Sequence, residues 1–243
     1  METKIKNKPG PKPLPAANPA WTAELAYVCG LMASDGCLIS NGKTINLTSK
    51  DIDQLETFKK ILGLKTPLSW KWRGAHDIKY PQVQFCNVRL YRWFQSIGIS
   101  PHKSLTIHKV LVPDNFFFDF LRGEFDGDGC SYAYWDTRWR SSVSIYVSFV
   151  SGSKKYLEWI QEKTNQLAGV CGVVAPGTRG YSLKYAKYQA KILHTKMYYE
   201  KAMPHLKRKK EKFDRQLQSH DWSLSKQCLP VNILRHSGVQ WIT

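Results

Sequence analysis

Apolar and polar residues change period repeatedly along the chain, and the changes mark its elements. Residues 23–34 are apolar almost throughout, with Thr22 placed to cap and Glu24 in the first turn, which predicts a helix ending near Ser34. Period two follows. Residues 37–40 lead through Asn41-Gly42 into a strand over 43–48, where Ile45 and Leu47 alternate with Thr44, Asn46 and Thr48. Leu55, Phe58 and Leu62 restore helical spacing over 51–62. Leu68, Trp70 and Trp72 alternate with Ser69, Lys71 and Arg73, and Val83 and Phe85 alternate with Gln82 and Gln84, so two more strands flank a loop over 74–81. A helix over 89–97 closes this half. The order then recurs: a helix from a cap at Asp114 to Gly127, strands over 131–136 and 142–150, a helix over 153–167, strands over 171–175 and 181–187, and a helix over 189–202. The fold class this implies is α+β, with two α-β-β-α-β-β-α halves whose helices lie on one face of an antiparallel sheet.

The first helix of each half ends in the same way. Val28-Cys29-Gly30-Leu31-Met32-Ala33-Ser34-Asp35-Gly36 and Leu121-Arg122-Gly123-Glu124-Phe125-Asp126-Gly127-Asp128-Gly129 both carry an interior glycine and a terminal Asp-Gly. An interior helical glycine costs about 1 kcal/mol relative to alanine, so its recurrence calls for a packing reason. Gly30 with Ser34, and Gly123 with Gly127, put small residues one turn apart on one face, where two helices can cross with backbones nearly touching. Gly36 and Gly129 are expected to end the helices in the left-handed conformation. Helices that cross and stop together bring Asp35 and Asp128 side by side, and adjacent carboxylates call for a shared proton or hard cations such as Mg²⁺.

These residues resemble the LAGLIDADG homing endonucleases in their single-chain form with two motif copies. Copy two matches in Gly123, Asp126, Asp128 and Gly129; copy one matches in Gly30, Leu31, Asp35 and Gly36 and departs at Ala33. The resemblance implies a saddle of two sheets over DNA, with the motif helices packed at its centre. It assigns Asp35 and Asp128 to divalent metal (Mg²⁺ or Mn²⁺, with Ca²⁺ binding without supporting cleavage), assisted by the carbonyls of Ser34 and Gly127. It also implies a catalytic lysine late in each repeat, matched by Lys103 and by Lys209, with Lys210 one residue away. A polar residue that orders water at the end of the second strand is matched by Ser49 and Gly152; Gly152 has no side chain, leaving Ser151 or Ser153 as substitutes. The reaction implied is hydrolysis of one phosphodiester per strand across the minor groove, leaving short 3′ overhangs on a long asymmetric duplex, by a monomer.

Composition changes the picture in one respect. With 36 Lys and Arg against 19 Asp and Glu the net charge is +17, an excess that attracts polyanions and gives salt-dependent encounter with nucleic acid. Candidate DNA contacts on the polar strand faces and loops are Lys43, Asn46, Lys71, Arg73, Gln82, Gln84, Arg138, Arg140, Ser144, Tyr146, Arg179, Ser182 and Lys184. The six cysteines show no zinc-like spacing and read as reduced core residues of a soluble, intracellular protein with no membrane span. The expected organisation is a basic, proline-rich arm (1–20), two repeats (21–110 and 111–217) and an extension (218–243). The charge run 207–212 reads by itself as a solvated helix face. The competing classes are an intron maturase or a DNA- or RNA-binding protein that kept the fold without cleavage, and a structural module, which leaves the charge unexplained.

Overall fold

The computed structural model describes residues 19–72, 79–135, 143–178 and 180–218. The first half runs α1 (Ala23–Ala33), β1 (Gly36–Leu38), β2 (Thr44–Thr48), α2 (Ile52–Ile61), β3 (Ser69–Trp72), β4 (Lys79–Cys86), α3 (Val88–Ser96) and a single turn, α4 (Lys103–Thr106). The second runs α5 (Phe117–Gly127), β5 (Cys130–Trp135), β6 (Val143–Ser151), α6 (Lys154–Ala168), β7 (Val173–Gly177), β8 (Gly180–Ala186), α7 (Tyr188–Met197) and α8 (Lys207–Gln218). Each half holds one antiparallel four-stranded sheet, in the orders β1-β2-β4-β3 and β5-β6-β8-β7. The α+β class and the duplicated order are as the periodicity predicts.

The register explains the faces. Ile45 pairs with Phe85 and Leu47 with Val83, while Ile145, Val147 and Phe149 pair across to β5 and β8; these side chains are buried beneath the helices. α1 is buried from Leu25 to Ala33 on every side, as expected of a helix at the centre of a core. Its partner is α5, and the crossing rests on the two interior glycines. A Cβ at Gly30 would run into the backbone of Phe120, Gly123 and Glu124, and one at Gly123 into the backbone of Tyr27.

Four expectations need correcting. Gly36 and Gly129 are not left-handed; their Cβ atoms would strike the Cα of Met32 and of Phe125, so glycine is needed where the chain folds straight back from helix to strand. β4 begins at Lys79, inside the expected loop. Pro81, which has no N–H to give, lies just past the last β2 pair (Thr48–Gln82), and its carbonyl accepts from Ser49 N–H. α7 stops at Met197 rather than at 202, because the carbonyls of Met197 and Pro204 accept from the buried Arg122 guanidinium. Of the cysteines among the described residues only Cys29 is buried; Cys37, Cys86 and Cys130 lie on the polar side of their strands. The arm over 1–18, Arg73, Arg138, Arg140, Arg179 and the extension beyond 218 lie outside the described residues.

Candidate metal centre and nucleic-acid interface

The two motif helices end together. A Cβ on Gly127 would fall 2.6 Å from Ser34 Cβ and 3.4 Å from Asp35 Oδ2, so the Asp35 carboxylate stands against the end of α5. Asp35 and Asp128 are both exposed at this junction. Both act electrostatically on the buried Glu124 and on Lys103 and Lys209, which places the two acids in one field.

Each motif end is held from behind by a lysine. Lys103 Nζ, on α4, donates to Ser34 O at 2.8 Å. Lys209 Nζ, on the first turn of α8, donates to the carbonyls of Phe125 (2.8 Å), Gly127 (2.6 Å) and Gly129 (2.7 Å). Burial lowers both lysine pKa values, against the pull of the neighbouring carboxylates. Lys210 points elsewhere, to Asp214 at 2.6 Å on the same helix. α8 reaches this position because Phe213 packs on Phe125, ring centroids 5.7 Å apart, and because Arg208 grips Asp51 with two 2.6 Å hydrogen bonds. The bidentate Arg208 holds the Asp51 carboxyl below its usual range.

The motif helix of the second half also buries acids that its sequence does not explain. Glu124 accepts from Tyr156 OH at 2.9 Å, and burial, reinforced by the Asp128 charge, pushes its pKa from 4.5 up to about 8. Asp126 accepts from Tyr27 OH (2.9 Å) and Leu206 N–H (2.6 Å); burial raises it to about 6, those two hydrogen bonds holding it back. Arg122 is fully buried, its charge met by Asp119 at 2.8 Å in addition to the two carbonyls. The Asp119–Arg122 spacing, i and i+3 in an apolar helix, was the one signal for this pair. Nothing in the sequence pointed to the tyrosine partners.

Ser49 is buried at the end of β2 and lines a cleft of about 180 Å³ with Asp35, Asp126, Gly127, Asp51 and Arg208. Its Oγ accepts from Asp51 N–H, the residue before α2; Ser151 Oγ accepts from Ser153 N–H, the residue before α6. The counterpart of Ser49 is therefore Ser151 and not Gly152, which instead packs against the backbone of Ser104. As for a metal, the groups gathered here are carboxylates, a hydroxyl and backbone carbonyls, a hard-oxygen set, and Asp126 Oδ1 is buried with no hydrogen-bond partner. Among the described residues no three His, Cys, Asp or Glu side chains converge. The set suits Mg²⁺, which is held by one or two carboxylates and keeps its water, better than a closed all-protein cage.

On the sheet faces turned away from the helices, Lys71, Gln84 and Lys184 are exposed and Gln82 and Tyr146 are half-buried, while Lys43 is exposed in the turn before β2. Asn46, Ser144 and Ser182 are buried. Asn46 spends its amide on Gln82 and Gln84, while Ser144 pairs with Tyr134 and Ser182 with Val150. Tyr146 stacks between Tyr132 and Tyr134, at 5.4 and 5.5 Å. No helix of the described residues is long and apolar enough to cross a membrane.

This arrangement is the LAGLIDADG homing-endonuclease fold in its single-chain, two-repeat form. The chain is similar to the structure of the homing endonuclease I-WcaI bound to its DNA recognition sequence (TM-score 0.58, 12% identity, covering 79% of this chain and 88% of that one). It is similar also to the LAGLIDADG meganuclease I-AabMI bound to uncleaved DNA (0.56, 13%, 82% and 91%), and to full-length DUF199/WhiA from Thermatoga maritima (0.51, 14%, 88% and 65%). No family model and no curated protein matches the sequence.

Proposed function

We propose that the protein is a site-specific endonuclease of double-stranded DNA, acting as a monomer with Mg²⁺ or Mn²⁺. The observation that carries this reading is the junction of α1 and α5, where Asp35 stands against Gly127 at the shared end of two helices whose backbones touch. Polar strand faces flank that junction, and the chain carries a charge of +17. Asp35 and Asp128 would hold the metal, with the second lone pairs of the Ser34 and Gly127 carbonyls beside them. When bound, a divalent ion supplies activation of water and neutralisation of charge on the phosphate.

The chain's own groups have separable parts. Lys103 and Lys209 fix the carbonyls of Ser34 and Gly127, the residues before the two acids, and their lowered pKa makes a proton at Nζ easier to give up than on an exposed lysine. The geometry favours Lys209 over Lys210 in this role. Ser49 and Ser151 stand at equivalent strand ends, where a hydroxyl can order water. One acid per strand would give paired cuts across the minor groove with short 3′ overhangs.

The likeness to WhiA supports a second reading, a DNA- or RNA-binding protein, such as a maturase, that holds the fold without cleaving. Two acids retained at one junction favour the nuclease, since a binder has no use for carboxylates facing phosphate. Incubating the purified chain with randomised duplexes and Mg²⁺, and sequencing both ends of the products, tests the proposal. Paired cuts in one recurring sequence support it. Recovery of a recurring bound sequence without cuts supports the binder, and no enrichment in either arm overturns both.

A further inference from the structure

The two sheets display different chemistry at register-equivalent positions. With Ser49 matched to Ser151, the pairings Thr48–Gln82 and Asn46–Gln84 of the first half correspond to Val150–Ser182 and Ser148–Lys184 of the second. The first set is a directed hydrogen-bond network. Thr48 Oγ1 donates to Asn46 Oδ1 at 3.0 Å, which turns the Asn46 amide nitrogen toward Gln82 Oε1 (2.6 Å) and Gln84 Oε1 (3.4 Å). Both glutamines thus have their oxygens engaged by Asn46 from within the strand face. Each oxygen has spent one of its two lone pairs on Asn46, while both N–H donors of each amide are unspent among the described residues, so the amide is richer in donors than in acceptors. Its complement in the major groove is an acceptor edge, and guanine, with N7 and O6, carries two acceptors.

The second half has no carboxamide at these places. Val150 is 44% exposed and Val173, across β8 on the same face, 67% exposed. Exposed aliphatic side chains on a polar strand face have one specific partner in the major groove, the thymine 5-methyl group. Resting on the reading that these faces bind duplex DNA, we infer that the two repeats read different base features: the first selects guanine acceptor edges through Gln82 and Gln84, the second thymine methyls through Val150 and Val173.

The test uses the full chain and a duplex recovered by binding from a randomised pool in Ca²⁺. Each thymine is replaced singly by deoxyuridine, which lacks the methyl, and each guanine by 7-deazaguanine, which lacks the N7 acceptor; affinity is read by fluorescence anisotropy. Loss of one methyl contact is expected to weaken binding about fourfold, and loss of one accepted hydrogen bond about three- to tenfold. The deoxyuridine-sensitive positions should cluster in one half of the duplex and become insensitive in Val150→Ser or Val173→Ser. The 7-deazaguanine-sensitive positions should cluster in the other half and become insensitive in Gln84→Leu. Sensitive positions mixed across both halves, or sensitivities the variants leave unchanged, overturn the inference while leaving the DNA-binding reading intact. A pool that yields no recurring sequence overturns both.

Discussion

Glu124→Gln should change how the stability of the protein depends on pH. The carboxyl is wholly buried beneath the two acids, accepts one hydrogen bond from Tyr156, and has its pKa raised from 4.5 to about 8, chiefly by burial. A group whose folded-state pKa is raised binds its proton more tightly in the native protein. Its contribution is therefore fully present below pH 4.5 and is lost as pH rises to about 8. At about 1.4 kcal/mol per pH unit across that window, the loss amounts to about 5 kcal/mol, comparable with the whole net stability of many domains. Glutamine can still accept from Tyr156 and carries no charge, so any offset from its extra N–H groups is independent of pH. The assay is urea denaturation of wild type and variant, followed by tryptophan fluorescence from pH 5 to 9. Wild type should lose stability relative to the variant steadily across this range and level off above pH 8. Two curves that run parallel within about 1 kcal/mol would refute the buried, protonated carboxyl.

Other consequences follow from the same junction. Alanine at an ordinary helix interior stabilises relative to glycine by about 1 kcal/mol, but Gly30→Ala and Gly123→Ala drive a methyl into a neighbouring backbone and should destabilise by about 3 kcal/mol or more in thermal or urea unfolding. Lys209→Met removes the donor from three carbonyls behind the second acid and should abolish single-turnover cleavage at saturating protein. Lys210→Met breaks a partly exposed pair with Asp214 and a cation–π contact with Tyr198, and should change stability by about 1 kcal/mol or less with cleavage kept. Because both acids belong to one chain, the cleavage rate below target saturation should rise linearly with protein concentration; a square dependence would require a dimer.

Much of the fold could be read from the chain because its signals are local. Alternation such as Ile45 and Leu47 against Thr44 and Asn46 separates the faces of a strand, and the repeated Gly-x-x-x-small pattern with its terminal Asp-Gly marks both the helix crossing and the acids at its end. What stayed hidden depends on partners distant in sequence. The need for glycine at 36 and 129 comes from Met32 and Phe125 and not from a left-handed turn. The run 207–212 looks like a solvated face, and Lys207 and Lys212 are indeed exposed, but Lys209 is drawn inward by three carbonyls more than 75 residues away. Asn46 has the composition of a base-reading side chain, and only the cross-strand register shows that it is occupied in orienting Gln82 and Gln84. Glu124 sits at a motif position where its charge would be unwelcome, and it is tolerated because Tyr156, from α6, meets it.

The central claim is that Asp35 and Asp128, brought to one junction by the crossing of α1 and α5, each serve the cutting of a strand. The most direct measurement is cleavage of the selected duplex, labelled separately on its two strands, by Asp35→Asn and Asp128→Asn, with affinity measured in parallel. Each variant should bind at least as tightly as wild type, because a negative charge near phosphate has been removed, and each should fail to cut at least one strand. If both single variants cut both strands at the wild-type rate, the junction is not the catalytic centre.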